Sequence, residues 1–289
     1  MLLLADSGST KTDWRLVDKS GECLVSLKSK GLNPYFLTPD EIKKELGNKV
    51  LGKISDVNRV VFYGAGCGHP AKAAELAAVL DDLFPSQVPA EVNGDILGAA
   101  RSLLQEESGI ACILGTGANS CLYDGKNIIG SVPSLGFILG DYGSGTVLCR
   151  DLIRELLQGN LGADLRDEFF EKYELDQRMI LDKIYNQPRV NRFLASFTPF
   201  LLKHAANPVI HSIINQNFRQ FFEYYILPFR KEEKSIPLKF TGSIAYHFAV
   251  YLKAVAEEYG EPIEAIEQHP MNGLVNYHSH TFADFKTNQ

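Results

Sequence analysis

The chain has 289 residues, of which 45% are hydrophobic and 22% charged, and a formal net charge of −6. That length suits one or two domains with a core large enough to need no disulfide staples, and the acidic balance argues against a broad nucleic-acid-binding surface. No apolar run approaches the ~20 residues that span a bilayer, and residues 1–5 are too short and lack the basic flank of a signal peptide. The five cysteines are scattered and none forms a CxxC pair, which favours reduced thiols and a cytoplasmic location over a disulfide framework or a structural zinc site.

Residues 2–5 read as a buried strand, 12–17 as an alternating strand and 22–27 as a third, a three-stranded meander. Thr38-Pro39-Asp40-Glu41 is a capping box with proline at the first helical position, opening a helix to about residue 51. A strand at 59–63, a helix at 71–83, a short strand at 89–92 and a helix at 96–105 follow. The pattern then restarts: a strand at 110–114, a Gly-Thr-Gly turn, a strand at 118–123, an Asp124-Gly125 hairpin signal and a strand at 126–129. The two meanders indicate an internal duplication of architecture. From 145 to about 234 the pattern is helical, broken by Pro188, Pro199, Pro208 and Pro228. A strand at 238–240, a helix at 245–259, a strand at 262–266 and a helix at 271–279 complete the expected elements.

Small-residue loops carry the candidate chemistry. Asp6-Ser7-Gly8-Ser9-Thr10-Lys11 joins the first two strands, and its backbone N–H groups suit a phosphate nest. Lys11 adds charge and Asp6 could hold a metal or its water. An ordinary hairpin turn is the commoner use of such a segment. Gly115-Thr116-Gly117-Ala118-Asn119 repeats the arrangement in the second meander. Gly140-Asp141-Tyr142-Gly143-Ser144-Gly145 opens a helix at about Thr146, where Ser144 and neighbouring N–H groups could bind an anion or simply cap the helix. Thr241-Gly242-Ser243 ends a strand and opens a helix, which suits a nucleotide base or ribose lying on backbone. Asp95 is either the N-cap of a helix or a carboxylate that takes a proton from a substrate hydroxyl. P-loop, HExxH, GxSxG and protein-kinase signatures are missing. Gly64-Ala65-Gly66-Cys67-Gly68 fails the dinucleotide fingerprint, because His69 stands where the third glycine belongs. Cys67 and His69 read as structural, His278 and His280 as surface residues, and the aromatic run from Phe218 to Tyr225 as core.

Together these ordered loops resemble the sugar kinase, Hsp70 and actin superfamily and, within it, the BadF/BadG/BcrA/BcrD-type ATPase family that includes N-acetylglucosamine kinases. The resemblance implies an α/β fold of two actin-like (ribonuclease H-like) domains flanking a nucleotide-binding cleft. These would be residues 1–107 and 108–269, with a helical insertion at about 146–234 and a terminal helix at about 270–282 that packs back on the first. It implies ATP and Mg2+ as cofactors. Gly8, Ser9, Thr10 and Lys11 would form the first phosphate loop, with Asp6 near the metal. Gly115, Thr116 and Gly117 would form the second, and Gly242 and Ser243 the adenosine motif. Asp95 would be the catalytic base, and Asn33, Asn119 and Asp141 would contact the sugar. The implied activity is phosphorylation of N-acetylglucosamine or a related hexosamine. The implied partner is a small-molecule sugar, with no nucleic acid, no membrane and room for a homodimer. The alternative within the family is an ATPase that couples nucleotide state to a partner protein, as in dehydratase activators; the cysteines here lack that branch's pattern. Leu135-Gly136-Phe137 also replaces the Trp-Gly-His segment of the mammalian N-acetylglucosamine kinases, so the identity of the sugar stays open.

Overall fold

The computed structural model describes residues 1–230 and 236–284, and side chains as far as residue 279. The expected end of the helical stretch, 231–234, and the side chain of His280 lie outside the described residues. The chain forms two units. The first comprises Met1–Ser108, the hairpin tip Tyr123–Ile129 and the chain from His269; the second comprises Gly109–Leu122 and Gly130–Gln268. Among the described residues, no helix is long and apolar enough to cross a membrane.

In the first unit, β1 (Leu2–Ser7), β2 (Lys11–Val17), β3 (Cys23–Lys30), β4 (Arg59–Gly64) and β5 (Glu91–Gly94) form one sheet in the order β3-β2-β1-β4-β5. β1 pairs antiparallel with β2 and parallel with β4, and β4 pairs parallel with β5. Side chains alternate across a strand, so β1 feeds two cores. Leu3 and Ala5 pack with Trp14, Phe62 and Leu80, the last from α2 (Pro70–Leu83), and with Ile42 and Leu46 from α1 (Pro39–Lys49). Leu2 and Leu4 pack on the other face with Tyr63 and with Met271 and Leu274 of the C-terminal helix (Met271–Asp284). That helix lies against α3 (Asp95–Leu104). The Thr38 capping box forms as the sequence predicts, with Glu41 N–H donating to Thr38 Oγ1 and Thr38 N–H to Glu41 Oε2.

The second sheet, most of it in the second unit, comprises β6 (Ser108–Leu114), β7 (Ala118–Asp124), β8 (Ile128–Ser131), β9 (Leu238–Thr241) and β10 (Ala265–Glu267) in the order β10-β9-β6-β7-β8. Taken from its meander outward, this is the strand order of the first sheet, so the duplication inferred from the two meanders extends to a fourth and fifth strand. β6–β9 and β9–β10 are parallel.

Helices α4 (Gly136–Leu139), α5 (Gly145–Leu157), α6 (Ala163–Tyr173), α7 (Gln177–Tyr185), α8 (Val190–Ala195), α9 (Thr198–Lys203), α10 (Pro208–Phe221) and α11 (Leu227–Arg230) lie between β8 and β9, and α12 (Ser243–His247) and α13 (Ala249–Glu258) between β9 and β10. Their core centres on Phe169, Phe197, Phe200, Phe218, Phe221, Phe222 and Phe240.

Three expectations are corrected. Pro199 and Pro208 begin helices, but Pro228 does not separate two: α10 runs into α11 through one wide π turn, Phe222–Ile226. A proline lacks the N–H for an i→i−4 bond, and the wider turn carries the chain past it. The helix expected over 245–259 is two helices meeting at Phe248, whose ring is buried. His278 is not a surface residue. It is buried, with its Nε2 2.9 Å from Tyr63 Oη.

Candidate active site

In the first unit, parallel register sets the candidate residues in a row. Ser7 pairs with Gly64 and Gly64 with Gly94, at the ends of β1, β4 and β5, the edge where open α/β sheets bind ligands. By alternation Asp6 shares the face of Leu2 and Leu4, the face that α3 covers, and Asp95 is the first residue of α3. Asp13, the cross-strand partner of Asp6, lies on the same face. Burial, and then the charges of Asp95 and Asp13, raise the Asp6 carboxyl to about 7. Asp95 is not the N-cap; Gly94 holds that position, and the Asp95 carboxylate accepts from Ile96 N–H at 2.9 Å.

The first loop is short because Gly8 N–H donates to Lys11 O at 3.0 Å. Gly8, Thr10 and Lys11 are exposed and Ser9 is half-buried. The loop is fixed from beneath: Ser7 Oγ and Thr12 Oγ1 are 2.8 Å apart, Thr12 Oγ1 donates to Lys30 O, and Leu32 N–H donates to Ser7 Oγ. Asn33 Oδ1 accepts from Tyr35 N–H at 2.9 Å, and a Cβ at Gly66 would strike the Asn33 amide. Gly66 takes φ +84°, so this glycine-rich segment is a close-packed support for Asn33 and for Gly94, whose Cβ would come 3.3 Å from Gly68. Cys67 is buried between these glycines, and its thiol is pushed up to about 12 by burial and by Asp95.

In the second unit, Gly115 N–H donates to Gly117 O, the counterpart of the Gly8 turn. Behind this loop, Gly145 N–H donates to Gly115 O at 2.8 Å and Thr146 Oγ1 to Thr116 O at 2.6 Å. Of the two readings open for Ser144 the cap holds and the anion site does not: Ser144 is fully buried and caps Val147 N–H, while the next N–H groups of α5 hold the second loop. Gly242, at φ +117°, presses on Leu114, where a Cβ would strike the carbonyl oxygen. Gly242 and Ser243 are thereby set directly against the start of the second loop. Asn119 Oδ1 accepts from Ser120 N–H.

Asp141 is half-buried with φ +55°, a left-handed conformation uncommon outside glycine. Its carboxylate lies 3.5 Å from where a Gly117 Cβ would sit. Burial raises its carboxyl and a bond from Ala118 N–H opposes the rise. The structure thus brings Asp6 and Asp95 together in one unit, and in the other sets Asp141 against Gly117 and Ala118, which precede Asn119 in the chain. Nothing in the sequence marks Gly31, Thr146 and Tyr225 as supports of these residues; Thr146 reads there only as a helix start and Tyr225 only as core.

No family model matches the chain. A candidate N-acetylglucosamine kinase from Porphyromonas gingivalis has a solved structure that is 42% identical, with a TM-score of 0.92, covering 97% of this chain and 99% of that one. A candidate N-acetylglucosamine kinase from Chromobacterium violaceum shares the fold at 17% identity and a TM-score of 0.68, over 96% of this chain and 98% of that one. The N-acetyl-D-glucosamine kinase of Dictyostelium discoideum is 27% identical over 194 residues, which span 62% of this chain but only 59% of that protein's length. On the full-length likeness to the Porphyromonas protein, with the paired actin-like sheets, the chain belongs to the N-acetylglucosamine kinase-like family of the sugar kinase, Hsp70 and actin superfamily.

Proposed function

We propose that the protein transfers the γ-phosphoryl group of ATP to a hydroxyl of N-acetylglucosamine or a closely related hexosamine, with Asp95 as the general base. The observation that carries this reading is the placement of Asp95 at the start of α3, on the sheet face of Asp6 and close enough to raise its carboxyl. A base so placed takes the proton of the attacking hydroxyl as phosphoryl transfer begins. Most of the catalytic contribution is positioning and charge neutralisation, because the transition state is loose. In this reading Gly8 and Gly115 close the two turns, backbone N–H groups of Ser9–Thr10 and Thr116–Gly117 bind the phosphates, Lys11 adds charge, and Gly242 and Ser243 take the nucleoside. Asn33, Asn119 and Asp141 orient the sugar.

The residues fit Mg2+. Burial, and then the neighbouring carboxylates of Asp95 and Asp13, raise the Asp6 carboxyl, and a divalent cation would offset both. Among the described residues, no three carboxylate, histidine or cysteine side chains converge on one point, so Asp6 would hold the ion directly or through water and nucleotide oxygens would supply further ligands. When bound, the ion neutralises phosphate charge.

The partner-coupling ATPase reading is not favoured. Cys67, Cys112, Cys121 and Cys149 are buried, and burial pushes each thiol up, the opposite of what a cluster-ligating thiolate needs. The test is ADP release by purified protein with Mg-ATP, against N-acetylglucosamine, glucosamine and N-acetylmuramic acid. Release strictly dependent on an N-acetylhexosamine is expected; release at the same rate without sugar would sink the proposal.

A further inference from the structure

We infer that Tyr225 is a positioning residue for the sugar-contacting Asp141 and Asn119 segments, acting through its hydroxyl and its backbone carbonyl; this rests on the hexosamine kinase reading above. Asp141 N–H donates to Tyr225 Oη at 2.9 Å, across 84 residues of chain. Asp141 is held at φ +55°, a strained conformation for a non-glycine residue that persists only where surrounding contacts fix it. The Tyr225 hydroxyl supplies such a contact. Its own ring is immobilised: Tyr225 is buried and stacked on Phe221, with centroids 4.9 Å apart and planes 9° apart.

The same residue also holds the strand that bears Asn119. Ser120 Oγ, fully buried on β7, donates to Tyr225 O at 2.7 Å. Tyr225 lies within the π turn Phe222–Ile226, in which Leu227 N–H reaches back to Phe222 O. Such single wide turns are frequent at functional sites. Here the turn sets one tyrosine so that its side chain meets the Asp141 loop and its backbone meets the Asn119 strand. Gly140 completes the arrangement, since a Cβ there would come 3.1 Å from Tyr225 Oη.

Without the hydroxyl, the Asp141 N–H loses its acceptor and the loop spends less time in the sugar-competent form. Apparent sugar affinity falls with that fraction, while the phosphate loops and the Asp95 base are untouched. Steady-state ADP release with N-acetylglucosamine tests this. Tyr225→Phe is expected to raise the sugar KM about tenfold, the size of one lost hydrogen bond to a buried donor, with kcat and the ATP KM within about threefold. A merely structural role would instead lower the active fraction, and so kcat, at unchanged KM. In an Asp141→Ala background, Tyr225→Phe is expected to add less than about twofold to the sugar KM, because the two residues act as a unit. Full additivity there, or an unchanged sugar KM in the single variant, overturns the inference. If Tyr225→Phe fails to fold, Gly140→Ala, which crowds the hydroxyl, carries the test with the same expected rise in sugar KM, and no rise overturns the inference. If the unmodified protein phosphorylates no sugar, the kinase reading fails and this inference falls with it; an active protein with an indifferent Tyr225 sinks this inference alone.

Discussion

Gly31 lies directly behind Gly8: a Cβ on Gly31 would fall on the Gly8 carbonyl oxygen and within 2.8 Å of the Ser9 carbonyl carbon, while Gly31 N–H donates to Thr10 O at 3.0 Å. The first loop thus rests on the backbone that follows β3. Gly31→Ala leaves no flexible side chain to yield, so the loop itself must shift. Overpacking of this kind costs ~1–3 kcal/mol, and the ATP KM is expected to rise about tenfold while the sugar KM stays near wild-type. Steady-state kinetics with each substrate varied separately would show it; an unchanged ATP KM would detach the loop from nucleotide binding.

The second loop depends on Thr146 in the same way. Its hydroxyl donates to Thr116 O at 2.6 Å, with Asn191 O at 3.2 Å, and the residue is buried. Thr146→Val keeps the shape and removes the donor, which leaves buried carbonyls short of a partner at a cost of ~1–3 kcal/mol. A lower thermal midpoint and a severalfold rise in ATP KM are expected together. A lower midpoint at unchanged ATP KM would make Thr146 a purely structural residue.

What the sequence disclosed was local. The Thr38 capping box and the two glycine turns are each contained within a few residues, and their chemistry is readable without the fold. Asp95 stood out because it follows a short strand and starts a helix, although its neighbour Gly94 proved to be the cap. The supports were hidden because each acts across the chain. Thr146 meets Thr116 across 30 residues and Tyr225 meets Asp141 across 84, and no periodicity signals either pairing. At Ser144 the sequence leaves a cap and an anion site both open for the same reason: a helix N-terminus can bind anions, but this one is occupied by loop carbonyls that only the fold brings there.

Asp95 makes a sharper case. Asparagine keeps the size and an oxygen to accept from Ile96 N–H, but it cannot take a proton. Asp95→Asn is expected to lower kcat by at least ~10², the usual worth of a general base, with nucleotide affinity nearly intact. Single-turnover kinetics with fluorescent-nucleotide titration separates the two. Turnover near wild-type would remove Asp95 from its role.

The last prediction concerns the C-terminal helix and acid. Arg101 Nη1 donates to Tyr63 Oη at 2.7 Å, and the Tyr63 hydroxyl shares a 2.9 Å hydrogen bond with His278 Nε2. Arg101 also reaches Glu91, which Arg59 holds at 2.8 Å. This chain ties β4, β5 and α3 to the helix that covers them. Burial, and then the positive charge of Arg101, lowers the His278 pKa to about 4 from its ordinary 6.5. The folded state therefore binds fewer protons than the unfolded state between those values. The stabilisation is complete above about pH 6.5 and is lost as pH falls toward 4, amounting to about 2 kcal/mol by pH 5. His278→Gln offers the Tyr63 hydroxyl either an acceptor or a donor and cannot titrate. Its urea midpoint is expected to fall less than that of wild type between pH 7.5 and pH 5, by the equivalent of about 2 kcal/mol. Equal losses in the two proteins would mean that His278 titrates alike in the folded and unfolded chain, and the proposed acid sensitivity of this helix would be abandoned.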